Sequence, residues 1–182
     1  AVLPEFAAGG KFDEITVRDL LDMKSGIDVT EDYSEYKPFT GVAGMQVTSD
    51  LPRYMMRNRA LAFAPGTRSD YRSIDAQYLS MIVARLEGEP LAKVLERRLW
   101  QPLGAQDEAS WNLDHANGLE RGFGNLNATP RDFAKLGLLA LAGGKPGERA
   151  LISPEWMTRI TTPVAEAEPG WMYAALWWHP PG

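Results

Sequence analysis

The sequence predicts an α+β fold that is mainly helical, and three observations carry this prediction. Residues 129–132 (Thr-Pro-Arg-Asp) combine a helix N-cap, a proline at the first helical position and an acidic residue at the third, which makes them the strongest helix start in the chain. Residues 74–86 carry apolar side chains at three- and four-residue spacing and lie ahead of Gly88, as expected for a helix that ends there. Residues 171–178 crowd tryptophan and tyrosine together after Pro169-Gly170, which is typical of a β-strand.

The remaining elements follow from local start and stop signals. Thr16, with Asp19 three residues later, forms a capping box that predicts a helix through residue 23 with a stop at Gly26. Residues 28–48 are rich in acidic and aromatic side chains and are predicted to form a loop. Polar caps and apolar spacing predict three more helices: one capped by Ser49 with Pro52 in its first turn, one over residues 91–99, and a short one that begins at Ser153-Pro154.

The composition argues against several classes of function. The 19 basic and 24 acidic residues are interspersed, and the net charge of -5 provides no electrostatic footprint for nucleic acid. The longest charge-free apolar stretch, residues 136–144, is less than half of the roughly 20 residues that a membrane-spanning helix needs, so no membrane span is predicted. The lack of cysteine excludes disulfides and a cysteine nucleophile within the chain, while cellular location and oligomeric state stay open.

Residues 63–73 (Phe-Ala-Pro-Gly-Thr-Arg-Ser-Asp-Tyr-Arg-Ser) are the most informative segment for function. A tight Pro-Gly turn and a short extended stretch lead to Tyr71, which stands just ahead of a predicted helix. Such a setting holds a phenol in a fixed position, where it can take part in proton transfer. From the residues alone, a tyrosine that simply packs at a helix start is the alternative interpretation.

Four segments, in order along nearly the whole chain, resemble the serine β-lactamase and penicillin-binding-protein superfamily, class C type. They are residues 15–27 (ITVRDLLDMKSGI), 63–73, 100–105 (WQPLGA) and 122–137 (GFGNLNATPRDFAKLG). The stretch Asp107-Glu108-Ala109-Ser110-Trp111 looks most like the branch of 6-aminohexanoate-dimer hydrolase and related esterases. The resemblance implies a β-lactamase/transpeptidase-like fold, in which this chain supplies mainly the helical region and a strand of the central antiparallel sheet.

The resemblance also implies that residues 1–182 are part of one such domain. In the family, a Ser-x-x-Lys motif precedes the point that matches Ala1, and a Lys/His-Thr/Ser-Gly strand follows the point that matches Gly182. We therefore expect the nucleophile, and strand partners for residues 171–178, to lie outside this chain. On this view the chain alone is inactive.

The activity implied by the resemblance is hydrolysis of a small amide or ester through an acyl-enzyme intermediate. A serine attacks the carbonyl group, a lysine accepts its proton, and Tyr71 relays a proton to the leaving group. Ser73, where many members carry asparagine, Tyr33 in a loop over the active site, and Asn125 near its rim are the expected substrate-binding residues. A cell-wall D-Ala-D-Ala peptidase, a β-lactamase and a non-catalytic binding module of the same fold are the alternatives.

Two other patterns are not expected to carry chemistry. Ser34 and Lys37 have the spacing of a Ser-x-x-Lys motif, but Pro38 disfavours a helical conformation at the lysine, and the pair would share a face only on a helix. His115 and His179 have neither cysteine partners nor helical pairing. No metal site and no cofactor are therefore predicted.

Overall fold

A computed structural model describes residues 1–31 and 39–182 of the chain. Among these residues the helices are α1 (Val17–Leu21), α2 (Gly41–Val47), α3 (Leu51–Arg57), α4 (Ser73–Glu87), α5 (Leu91–Leu95), α6 (Pro130–Leu141) and α7 (Pro154–Thr161). Short 3-10 segments cover Pro4–Phe6 and Gly10–Glu14, and a π-helical turn covers Glu96–Trp100. The strands are β1 (Ser110–Trp111), β2 (Leu126–Asn127), β3 (Ala165–Glu168), β4 (Trp171–Ala174) and β5 (Trp177–His179). In the part of the chain that the structure describes, no helix is both long and apolar enough to cross a membrane.

The predicted helix caps are confirmed at both kinds of terminus. The Thr16 hydroxyl accepts the N–H of Asp19, whose carboxylate in turn accepts the N–H of Thr16 at 2.9 Å. Thr129 and Ser153 cap α6 and α7 through their side-chain oxygens, which accept the N–H groups of Asp132 and Trp156. Gly88 ends α4 in the left-handed conformation with φ of 71°.

The structure corrects three predictions: one loop, one helix cap and one helix end. The predicted loop at residues 28–48 contains α2, which has no side-chain cap and is stabilised by the burial of Val42 and Met45 on one face. The cap of α3 is Asp50 rather than Ser49, because the Asp50 carboxylate accepts the Arg53 N–H at 3.0 Å. The helix predicted over residues 91–99 is α-helical only to Leu95 and continues as the π-helical turn.

The prediction of a single strand over residues 171–178 is wrong, because the segment forms a hairpin. Strands β4 and β5 are antiparallel, and Ala175 and Leu176 join them with positive φ values of 46° and 70°. Strand β3 pairs with the other side of β4, so the sheet order is β3-β4-β5. The central strand therefore finds both neighbours within this chain, contrary to the expectation that they lie outside it.

Helix α4 is central to the main hydrophobic core and packs against α1 and α5. The buried core side chains are Phe6, Leu20, Ile27, Val29, Met45, Leu51, Met55, Ile74, Tyr78 and Leu79. A smaller cluster of Met157, Ile160 and Ala175 joins α7 to the hairpin. The start of α4 is thereby placed next to the turn that follows α1.

Residues 22–27, which we call the α1 turn, bend sharply where α1 ends. Gly26 has φ of 76°, and a Cβ atom at this position would lie 2.3 Å from the carbonyl oxygen of Phe63. Its own carbonyl accepts the N–H of Ala62 at 2.8 Å. Both the backbone conformation and the close approach of the neighbouring segment therefore require glycine here.

Comparing Gly26→Ala with Gly88→Ala separates these two requirements, because Gly88 has a similar φ of 71° with open space around it. Gly88→Ala should lower the free energy of unfolding by about 1 kcal/mol, the cost of a left-handed L-residue, and Gly26→Ala by at least about twice that. Equilibrium urea unfolding measures both. Equal losses would show that the contact with Phe63 is not tight in solution.

Candidate active site

Tyr71 is carried by an extended segment that runs along the α1 turn. The N–H groups of Gly66 and Asp70 donate to the carbonyl groups of Lys24 and Met23, at 2.9 Å and 2.8 Å. One residue before Asp70, the Ser69 hydroxyl donates to the main-chain oxygen of residue 22 at 3.1 Å. The backbone is therefore fixed up to the residue immediately before the tyrosine.

The aromatic side chains of the hairpin hold the ring of Tyr71. Its centroid lies 4.9 Å from that of Trp178 and 6.1 Å from that of Tyr173, the latter in an edge-to-face arrangement. Trp178 in turn contacts Trp171, with centroids 6.1 Å apart. The phenol is half-buried at the end of this aromatic row.

The surroundings of Tyr71 favour its neutral form. Burial raises the pKa of the Tyr71 hydroxyl, and the negative charges of Glu31 and Glu168 raise it further, while the Ser73 side chain acts in the opposite direction. The described residues therefore leave Tyr71 as a protonated phenol at neutral pH. A protonated phenol can donate a proton but is a poor base.

Ser73 lies close to Tyr71, at the first position of α4, but its polar groups are already in use. Its N–H donates to Glu31 Oε1 at 2.7 Å, its hydroxyl donates to Glu31 Oε2 at 2.9 Å, and only 4% of its surface is exposed. The Glu31 carboxylate thus sits at the N-terminus of α4, where negative charge is stabilised. Sequence reasoning missed Glu31, although its position in an acidic loop was visible.

Of the other two predicted substrate-binding residues, only Asn125 is described by the structure, and its contacts are separate from this cluster. Asn125 has φ of 63°, its side chain donates to Gln46 at 3.2 Å, and its carbonyl accepts the N–H of Asn112. It therefore belongs to a set of contacts between α2 and the loop of residues 112–127. Tyr33 lies outside the described residues, as does the Ser34 and Lys37 pair.

A buried carboxyl group, Asp75, lies in the first turn of α4 and was not predicted from the sequence. Its Oδ1 accepts the Ser25 hydroxyl at 2.5 Å, while Oδ2 has no hydrogen-bond partner among the described residues. Burial raises the pKa of Asp75 to about 8, aided by Glu31 and opposed by hydrogen bonds from Ser25 and the charge of Arg72. This group is therefore uncharged over much of the neutral range.

The two histidines have structural contacts. His115 lies 2.9 Å from Asp114, and His179 Nε2 lies 2.9 Å from the carbonyl oxygen of Ile160. Across residues 1–31 and 39–182, no group of three or more histidine, aspartate and glutamate side chains is arranged to hold a metal ion.

Helices pack around α4, and an antiparallel sheet lies beside the tyrosine that precedes the start of α4. This arrangement defines the β-lactamase/transpeptidase-like fold. The chain belongs to the Beta-lactamase family, whose model matches residues 1–182. Both the predicted fold class and the predicted family are confirmed. At this level the chain is part of a family of hydrolases.

Individual relatives agree with this assignment. The 6-aminohexanoate-dimer hydrolase of Paenarthrobacter ureafaciens is 28% identical over 194 residues, which cover 97% of this chain and 49% of that protein. A Bacillus anthracis structure provisionally named as a 6-aminohexanoate-dimer hydrolase superposes with a TM-score of 0.79 at 22% identity, covering 94% of this chain and 49% of that one. A D-stereospecific amidohydrolase from Streptomyces sp. gives a TM-score of 0.64 at 21% identity, with 95% and 59% covered. The chain spans about half the length of the first two relatives.

The buried Asp75 predicts a specific dependence of stability on pH. Its pKa is about 8 in the folded protein, against about 3.9 in an unfolded chain. The folded state therefore binds the proton more tightly, and stability from this group is full below about pH 4 and is lost as pH rises to about 8. Asp75→Asn removes this titration. As the pH rises from 5 to 8, the free energy of unfolding of the variant should therefore increase by at least about 1 kcal/mol relative to that of the parent.

Urea unfolding at a series of pH values measures this difference. Asp28→Asn, at an exposed position next to the α1 turn, is the control and should give a profile parallel to that of the parent. If the stability of Asp75→Asn also ran parallel to that of the parent, Asp75 would be ionised in the folded protein throughout this pH range.

Proposed function

We propose that this chain is the tyrosine-bearing part of a serine hydrolase that cleaves a small amide or ester through an acyl-enzyme intermediate. The nucleophilic serine and its lysine come from a Ser-x-x-Lys motif of the same protein, outside residues 1–182. Tyr71 is the proton donor to the leaving group. The amide-hydrolase names of the similar proteins support this substrate class over a β-lactam.

The observation that carries the proposal is the placement of Tyr71. Its backbone is fixed by the α1 turn, its ring is held by Trp178 and Tyr173, and its hydroxyl is kept protonated. A general acid has to be both fixed in place and protonated before the reaction. A tyrosine that served only to fill space would need neither the fixed backbone nor the partly open ring.

The proposed reaction has two halves. The serine oxygen bonds to the substrate carbonyl carbon while the lysine takes the serine proton, and the bond to the amine or alcohol then breaks as Tyr71 protonates the departing atom. In the second half water attacks the acyl-serine and gives a proton to the Tyr71 phenolate, while the lysine ammonium returns its proton to the departing serine oxygen. A nearby lysine ammonium would stabilise the transient phenolate, which burial and the charges of Glu31 and Glu168 disfavour. This chemistry uses no cofactor.

Three residues are proposed to contact substrate around Tyr71. Ser73 lies two positions after Tyr71 in the chain, and its hydrogen bond to Glu31 would set how much of its hydroxyl is free to contact a substrate. Asn125 is proposed to lie near the rim of the site, and Tyr33 is proposed to contact substrate from a loop over it. A cell-wall peptidase or a β-lactamase would differ from this proposal in substrate, and a binding module of the same fold would have no turnover.

In the full-length enzyme, Tyr71→Phe should lower kcat on a good ester or amide substrate by on the order of a hundredfold, the usual scale for a positioned acid or base. The variant keeps the ring and its contacts with the hairpin, so the thermal unfolding midpoint should change little. Steady-state kinetics and a thermal melt measure the two effects. Unchanged turnover would indicate that Tyr71 serves only in packing.

Residues 1–182 alone should hydrolyse neither a chromogenic ester nor a cephalosporin, because a positioned nucleophile and its base are needed together. A serine-directed acylating probe should label the full-length protein at the serine of the Ser-x-x-Lys motif and leave the shorter chain unlabelled. Mass spectrometry locates the label. Stoichiometric labelling at Ser34 would contradict the proposal.

A further inference from the structure

Ser25 and Asp75 form a buried polar pair that has no part in the reaction steps given above. Both residues are 0% exposed, and the Ser25 hydroxyl donates to Asp75 Oδ1 at 2.5 Å across 50 positions of sequence. The bond joins the α1 turn to the first turn of α4. Because neither side chain reaches solvent, neither can touch a substrate, and an effect on the reaction has to pass through other residues.

The α1 turn is also what holds the segment that carries Tyr71. The carbonyl groups of residues 23 and 24, which directly precede Ser25, accept the N–H groups of residues 70 and 66. The same three-residue stretch is thus bonded to Asp75 on one side and to the Tyr71 segment on the other. A shift of Ser25 would move the two carbonyls and, with them, the backbone next to Tyr71.

The α1 turn needs such an anchor because its backbone is strained at Met23. This residue has φ of 54°, and a methionine at positive φ is held there only by its surroundings. The Ser25 hydroxyl also accepts the N–H of Ile27 at 3.2 Å, so the oxygen that bonds to Asp75 closes the turn as well. Removing the Asp75 acceptor would leave this buried hydroxyl without its partner.

We propose that Asp75 is a positioning residue for Tyr71: by accepting the hydrogen bond of Ser25, its carboxyl group fixes the α1 turn and, through the main chain of residues 66–70, the place of the phenol. The consequence for catalysis rests on the function proposed above. The structural connection between Asp75 and Tyr71 is argued from the hydrogen bonds alone and does not depend on that function.

A double-mutant cycle in the full-length enzyme tests the consequence for catalysis. Asp75→Ala should lower kcat by on the order of tenfold and change KM by less than about twofold, since a displaced acid weakens the chemical step more than binding. Asp75→Asn keeps an oxygen that accepts the Ser25 hydroxyl and should recover most of the loss. In a Tyr71→Phe background, Asp75→Ala should have no further effect on kcat, because the group that it positions is gone.

Gln77→Ala is the matched control. Gln77 is buried on the same helix, but its side chain donates to the carbonyl of Glu120 and accepts the N–H of Gly122. Its loss should destabilise the protein without involving the α1 turn. Any effect of Gln77→Ala on kcat should therefore be the same with and without the Tyr71 hydroxyl.

Amide hydrogen exchange of the full-length protein provides a readout that does not need activity. The amides of residues 66 and 70 should exchange faster in Asp75→Ala, and in the milder Ser25→Ala, but not in Gln77→Ala. Unchanged exchange at both amides, or equal effects of Asp75→Ala on kcat in the two backgrounds, would overturn the positioning role. Unchanged turnover of Tyr71→Phe would instead overturn the proposed function. The exchange rates of the two amides would then still test whether Asp75 fixes the segment that carries Tyr71.

Discussion

The main-chain hydrogen bonds between the α1 turn and the segment of residues 66–70 are the contacts on which the rest of the site depends. They join parts of the chain that are more than 40 positions apart, and they end one residue before Tyr71. Hydrogen bonds between main-chain groups have narrow ranges of length and direction, so Tyr71 leaves this pairing at a defined place. The hairpin then fixes the orientation of the ring through Trp178 and Tyr173.

The parts of this arrangement that the sequence predicts are those governed by neighbours in the chain. The caps by Thr16, Thr129 and Ser153 depend on residues only three positions apart, and all three are confirmed. The hairpin was missed because Ala175-Leu176 lacks the glycine or asparagine that normally indicates a two-residue turn. The Ser25–Asp75 pair spans 50 positions, and no local rule relates two such residues before the fold is known.

The charged groups that act on Tyr71 are negative, and this shapes what the site can do. Glu31 and Glu168 both raise the pKa of the phenol, and Asp75 adds no third negative charge because burial raises its pKa to about 8. A phenol in this field keeps its proton. A cationic group brought close to Tyr71 would be stabilised by the same carboxylates, which is the environment that a catalytic lysine of the proposed mechanism would meet.

The two supports of Tyr71 are themselves joined through α7. Arg159 on that helix forms an ion pair with Asp22 in the α1 turn, while Met157 and Ile160 pack against Ala175 in the turn of the hairpin. The His179 ring bonds to the carbonyl of Ile160, which ties β5 to the same helix. Because one helix contacts both supports, a displacement of α7 moves the turn and the hairpin together. The position of the phenol relative to its two supports is then preserved better than if each were held by a different part of the protein.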